Sequence, residues 1–191
     1  MILEGQQVDR DTEGRRSTTL RMSFGSQQEQ VMFLRSIVRV YRGRLPIRQK
    51  AVEIVQEAGV PPKHKLAQAL AIGTYCQETL YYVNEGIETF QTPIRTLRNG
   101  FGDCDDYTTL IASLCEAIGI PCRLEAIAVQ RTPPGLGDLF RDDSRALIHI
   151  FPVAVVNGRR VPLDGTLDLP IGTDPVRVIQ RRGRYVRTFV G

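Results

Sequence analysis

The hydrophobic positions of this chain change period near residue 120. Before that point they recur at helical intervals, and after it they fall in extended runs. The clearest helical pattern starts behind "RNGFGDC". Tyr107, Leu110, Ile111, Leu114, Cys115 and Ile118 follow one another at i, i+3, i+4, i+7, i+8 and i+11. That spacing predicts a helix with a core-facing stripe, closed by Gly119 and barred from continuing by Pro121. Upstream, "QQEQVMFLRSIVRVYR" predicts a helix with Phe33, Ile37, Val40 and Tyr41 on one face, although its β-branched residues also suit a strand. "PIRQKAVEIVQEAG" opens on proline and ends on glycine, as short helices do. "VPPKHK" is a turn. From Lys65 to about Val83, Leu66, Ala69, Leu70, Gly73, Cys76 and Leu80 share a stripe. "NEGIETFQTPIRTLRNGFG" reads as a connector.

Beyond the helix, "CRLEAIAVQ" and "ALIHIFPVAVV" are strand-like runs separated by the polar loop "RTPPGLGDLFRDDS". "VNGRRVPLD" carries an Asn-Gly pair between extended segments, a hairpin signal. One or two further strands are expected in "VRVIQRRGRYVRTFV". Helices first and antiparallel strands later predict an α+β fold, organised as an irregular N-terminal arm over residues 1–26 and a single domain over 27–191.

Composition narrows the function classes. The 191 residues are 42% hydrophobic and 24% charged, ordinary values for a globular chain. No apolar run reaches the roughly 18–20 residues of a membrane helix, and "MILEGQQVDRDTEG" lacks a signal-peptide pattern. The expectation is a cytoplasmic protein that does not engage membranes. The net charge of +4 comes from arginine, with Lys50, Lys63 and Lys65 the only lysines. Arginines cluster near both ends, but no nucleic-acid-binding motif accompanies them, so solvated surface charge is the expectation. Four cysteines and two histidines make neither a disulfide framework nor a zinc site, and no metal or cofactor is expected.

Cys104 stands apart from the other cysteines. It sits at the mouth of the predicted helix, where unpaired N–H groups and the helix dipole favour a thiolate and where its own amide offers a donor to a bound oxygen. Gly100 and Gly102 permit a tight turn and leave room for a substrate. Asp103 suits the N-cap, and Asp106, three residues on, completes a capping-box-like arrangement. Asp105 and Asp106 step about 100° and 200° around the helix from Cys104, so neither needs to face the sulfur. These aspartates organise the turn, and Asp106 is the one expected to be tied down. A thiolate also needs a base. His64 lies in a polar turn and is expected to be exposed, whereas His149 lies in a predicted strand. A hydrogen-bonded structural histidine and a catalytic base both fit that place. The Asn-Gly hairpin returns Asp164 beside the His149 strand, within reach to orient the imidazole.

"GFGDCDDYTTLIASLCEAIGIPCRL", a strand histidine and "VNGRRVPLDGT", in that order, resemble the transglutaminase-like branch of the papain-like cysteine peptidase superfamily, over roughly residues 65–168. The resemblance implies a papain-like core, with the cysteine's helix packed on an antiparallel sheet. It also implies attack on an amide carbonyl to form a thioester, with Cys104 as nucleophile, His149 as base and then acid, and Asp164 as orienter. The substrate would be a peptide or protein amide, and specificity would reside in loops 84–99 and 131–146. Transglutaminases place a tryptophan upstream of the cysteine to help hold the oxyanion, and this chain has none, which disfavours cross-linking relative to hydrolysis. Papain-like peptidases use a glutamine there. Gln91 is the favoured donor, with Gln77 and Tyr82 also available and a loop role for Gln91 equally open. Small proteins of this kind also occur in phages and prophages. That context implies an alternative: a non-catalytic scaffold binding a protein partner, or serving virion assembly, through the arginine-rich termini.

Overall fold

The computed structural model describes residues 2–10, 16–23, 26–83, 90–130, 147–182 and 185–191. Strands β1 (Ile2–Arg10) and β2 (Arg16–Ser23) pair antiparallel, with a register shift between Leu3 and Gly5. The arm expected to be irregular is therefore a β-ribbon over these residues. Backbone ladder bonds define a ribbon, so a polar sequence can form one with little hydrophobic periodicity.

Helices α1 (Gln27–Tyr41), α2 (Leu45–Glu57) and α3 (Lys65–Thr79) follow. Ser26 caps α1 by accepting the Glu29 N–H, and Pro46 lies in the first turn of α2. In α1 the buried face is Val31, Leu34 and Val38, with Phe33, Ile37 and Tyr41 on its flank, and Val40 points outward. The buried stripe is thus rotated from the expected one. α3 buries Ala69, Ile72, Gly73 and Cys76 but leaves Leu66 exposed, and its helix stops at Thr79. Strand β3 (Tyr81–Tyr82) comes next.

The expected connector contains α4 (Pro93–Asn99), in which the Thr92 hydroxyl accepts the Arg95 N–H and Gly100 closes the helix at φ 72°. Seven residues are too few to display a helical period, although the Thr-Pro start and glycine stop were present. Strand β4 (Phe101–Gly102) pairs in parallel with β3, Tyr82 opposite Gly102.

Helix α5 (Cys104–Ala117) occupies the centre of the protein. Every residue from Asp105 to Cys115 is buried, because α1 to α4 pack against this helix and the sheet covers it as well. That sheet comprises β5 (Cys122–Gln130), β6 (Leu147–Val156), β7 (Arg159–Pro162) and a C-terminal strand, β8 (Tyr185–Val190). Its order is β7-β6-β5-β8, and every neighbouring pair is antiparallel. Asn157 and Gly158, at φ 51° and 74°, make the two-residue turn between β6 and β7.

Ile127, Phe151 and Val153 form a second small cluster with Val176 and Ile179 of α6 (Pro175–Arg181). Of "VRVIQRRGRYVRTFV", expected to hold one or two strands, the second half forms the single strand β8 and the first half belongs to α6. Asp174 accepts the Val176 N–H and Pro175 starts a helix, so only the second half of the stretch is extended. The 131–146 loop and residues 84–89, expected to shape specificity, lie outside the described residues. Among the described residues, no helix is long and apolar enough to cross a membrane.

Candidate active site

Cys104 is the first residue of α5. Asp103 has extended backbone angles, and its Oδ1 accepts the Asp105 and Asp106 N–H groups at 3.2 and 3.3 Å. This is the N-cap expected from the sequence, and it ties the turn that carries the sulfur to the helix axis. Cys76, Cys115 and Cys122 are buried, whereas Cys104 is only partly so. Burial pushes the Cys76 thiol well above its ordinary range, keeping it protonated. Cys104 combines partial exposure with a helix N-terminus, an environment that favours an anion.

Asp106 is the best-anchored group in this turn. It accepts the Gln91 backbone N–H at 2.7 Å and the Gln91 side-chain Nε2 at 2.8 Å. The Asp103 N–H also acts on this carboxylate, completing the reciprocal half of the capping box. Burial raises the Asp106 pKa to about 6, and the N–H donors of Gln91 and Asp103 oppose the rise.

This arrangement favours one of the two readings left open for Gln91 and corrects one expectation for Gly102. Gln91 is not poised as an oxyanion donor. Its amide nitrogen donates to Asp106 and to the Phe101 carbonyl at 3.1 Å, and its oxygen accepts from Asn99 at 2.7 Å. Gly102 does not leave room for substrate either. A Cβ there would lie 2.6 Å from the Asp106 Cβ, so the glycine makes space for the carboxylate.

On the sheet side, His149 Nε2 and Asp164 Oδ2 are 2.5 Å apart. Asp164 is 4% exposed and lies just beyond β7, so the β6–β7 hairpin brings the pair together as its register predicts. The His149 ring also stacks on Phe151, with centroids 6.0 Å apart. Sequence reasoning overlooked Thr166, whose N–H and hydroxyl donate to Asp164 Oδ1 at 3.0 and 2.8 Å. The signal was the Asp-Gly-Thr string, which favours a turn closed by the aspartate side chain.

Two contacts draw helix and sheet together. Thr108, one turn beyond Cys104, donates its hydroxyl to the Ile150 carbonyl at 3.1 Å. Gly165 packs so tightly on α5 that a Cβ would come within 3.1 Å of Tyr107 Cδ1 and 3.2 Å of Ile111 Cδ1.

Between α3 and the chain after Asp164 lies a cleft of about 440 Å³, lined among others by Gln77, Tyr82, Tyr107 and Thr166. Gln77 Nε2 donates to the Leu167 and Leu169 carbonyls at 2.8 and 2.9 Å, pinning the cleft wall to α3. The carboxylates of Asp103, Asp105 and Asp106 offer oxygens within 4.8 Å of one another, a grouping that could hold a cation. Asp103 and Asp106 already accept the N–H groups described above, so the grouping fits a helix cap. His64 is exposed at the start of α3, as expected.

A cysteine-bearing central helix laid on an antiparallel sheet defines an α+β, papain-like architecture. Residues 52–151, just over half of the chain, match the model of the transglutaminase-like superfamily, and the chain belongs to that superfamily. No curated protein matches it in sequence. Among solved structures it is similar to a candidate protease from Parabacteroides distasonis, at 15% identity and a TM-score of 0.51, over 88% of this chain and 35% of that one. It is also similar to a candidate cysteine protease from Cytophaga hutchinsonii, at 16% identity and a TM-score of 0.49, over 76% and 48% of the two chains. Calcium-bound LapG of Legionella pneumophila aligns at 14% identity and a TM-score of 0.45, over 75% and 76%. The chain therefore spans less than half the length of the first two structures, and the likeness to the Parabacteroides distasonis structure concerns the fold alone.

Proposed function

We propose that the protein is a cysteine-dependent amide hydrolase, a peptidase, in which Cys104 is the nucleophile, His149 the base and Asp164 its orienter. The observation that carries this reading is the 2.5 Å His149–Asp164 pair on the hairpin packed against the Cys104 helix. An ionised carboxylate only accepts hydrogen bonds, so Asp164 holds the imidazole proton on Nε2 and leaves the Nδ1 lone pair to take the thiol proton. Thr166 keeps Asp164 fixed while it does so.

The thiolate attacks the carbonyl carbon of an amide, and the C=O electron pair moves onto oxygen. Collapse of this intermediate breaks the C–N bond, and the leaving amine takes its proton from the imidazolium. A water then loses a proton to His149 and attacks the thioester. Release of the carboxylic acid returns the proton to sulfur.

The test is labelling with a panel of electrophilic peptides and glutamine mimics, wild type against Cys104→Ala. Adducts mapped to Cys104 and absent from the variant are expected, and the reactive members report substrate class. Equal labelling of both proteins would refute Cys104 as the nucleophile.

A further inference from the structure

Attack on a carbonyl places a negative charge on oxygen beside the sulfur, and a preorganised donor at that spot lowers the barrier more than most single groups do. Two of the three side chains available for this role are engaged elsewhere. Gln91 donates to Asp106 and Phe101, and Gln77 donates to Leu167 and Leu169. The third is Tyr82, and the backbone sets it beside the nucleophile's turn. The Tyr81 N–H donates to the Gly100 carbonyl at 2.9 Å, and the Val83 N–H to the Gly102 carbonyl at 3.0 Å. These bonds clamp Tyr82 opposite Gly102, two residues before Cys104.

The Tyr82 ring lies 6.4 Å from that of Tyr107, one turn along the Cys104 helix, and both line the cleft that Gly165 and Thr166 close on the other side. The phenol therefore sits between the start of α5 and the chain that follows Asp164. It is half-exposed, so a substrate can reach it.

Resting on the assignment of Cys104 as nucleophile, we propose that the Tyr82 hydroxyl is a catalytic hydrogen-bond donor to the oxyanion formed when Cys104 attacks. Its surroundings keep it a donor. Burial, followed by the negative charges of Cys104, Asp103, Asp105 and Asp164, pushes the phenol pKa upward, so the hydroxyl stays protonated at neutral pH.

Two reactions of Cys104 separate this role from a structural one. Acylation by p-nitrophenyl acetate passes through a tetrahedral oxyanion, whereas alkylation by iodoacetamide is a displacement at an sp³ carbon and forms none. Tyr82→Phe retains the ring and removes only the donor. The expected result is an acylation rate lower by at least about tenfold, with the alkylation rate within about twofold of wild type. Unchanged acylation would overturn the proposal, and so would a parallel fall in both rates, which would mark Tyr82 as a packing residue. Failure of the wild type itself to be acylated at Cys104 would instead overturn the nucleophile assignment, and this proposal with it.

Discussion

Asp106 and Asp164 are buried to nearly the same depth, at 1% and 4% exposure, yet they hold different company. Asp106 faces amide donors from Gln91 and Asp103, groups that do not titrate. Asp164 faces an imidazole, a ring whose second nitrogen can accept a hydrogen bond while the first donates one. The first carboxylate can only hold its neighbours still, whereas the second can set the tautomer and orientation of an imidazole, as the base proposed for Cys104 would require. Burial does not tell these roles apart; the partner does.

The largest expected effect belongs to Asp164. Asp164→Asn keeps an acceptor for Thr166 but presents an amide donor to His149 Nε2, driving the ring proton to Nδ1 and removing the base. Turnover of any ester or peptide substrate should fall by about 10²–10⁴-fold with little change in the unfolding midpoint. Retained turnover would erase the distinction between the two aspartates.

Asp106→Ala should do the reverse. It strands the buried Gln91 donors, and urea unfolding should report a loss of about 3 kcal/mol. Cys104 alkylation in the folded fraction should persist. A stability change below about 0.5 kcal/mol would show that Asp106 is not the anchor of its turn.

A pH series refines the same contrast. The folded Asp106 pKa, at about 6, lies above its unfolded value near 4. The native state then binds more protons than the unfolded one across that interval. Asp106 accordingly contributes a stability term that is full below about pH 4 and is lost as pH rises through about 6. Chemical unfolding of wild type and Asp106→Ala at several pH values should show this slope in the former alone.

The smallest effect is expected at Gly165, where Gly165→Ala presses on Tyr107 and Ile111 and should cost about 1–2 kcal/mol. Gly158→Ala probes a different demand, since φ 74° disfavours a side chain although no atom crowds the site.

What the sequence revealed follows the range of each interaction. The cap and stripe of α5 depend on residues within one or two turns, so Asp103, Leu110 and Cys115 could be placed without a fold. Asn157-Gly158 announced the hairpin, and with it the proximity of His149 to Asp164. The role of Gln91 stayed open between oxyanion donor and loop residue because its partner, Asp106, is fifteen residues away and meets it only once α4 and β4 have folded between them. The buried face of α1 was set by packing on α5, where Val31, Leu34 and Val38 won over Val40. β1 and β2 left no trace because their pairing is carried by backbone groups common to nearly every residue.

The central claim, that His149 serves as the base for Cys104, is tested most directly by the rate of Cys104 alkylation by iodoacetamide in mildly acidic buffer, wild type against His149→Ala. The account predicts that wild type reacts much faster than free cysteine and that His149→Ala returns the rate toward that of the free thiol. A rate unchanged by His149→Ala would contradict it.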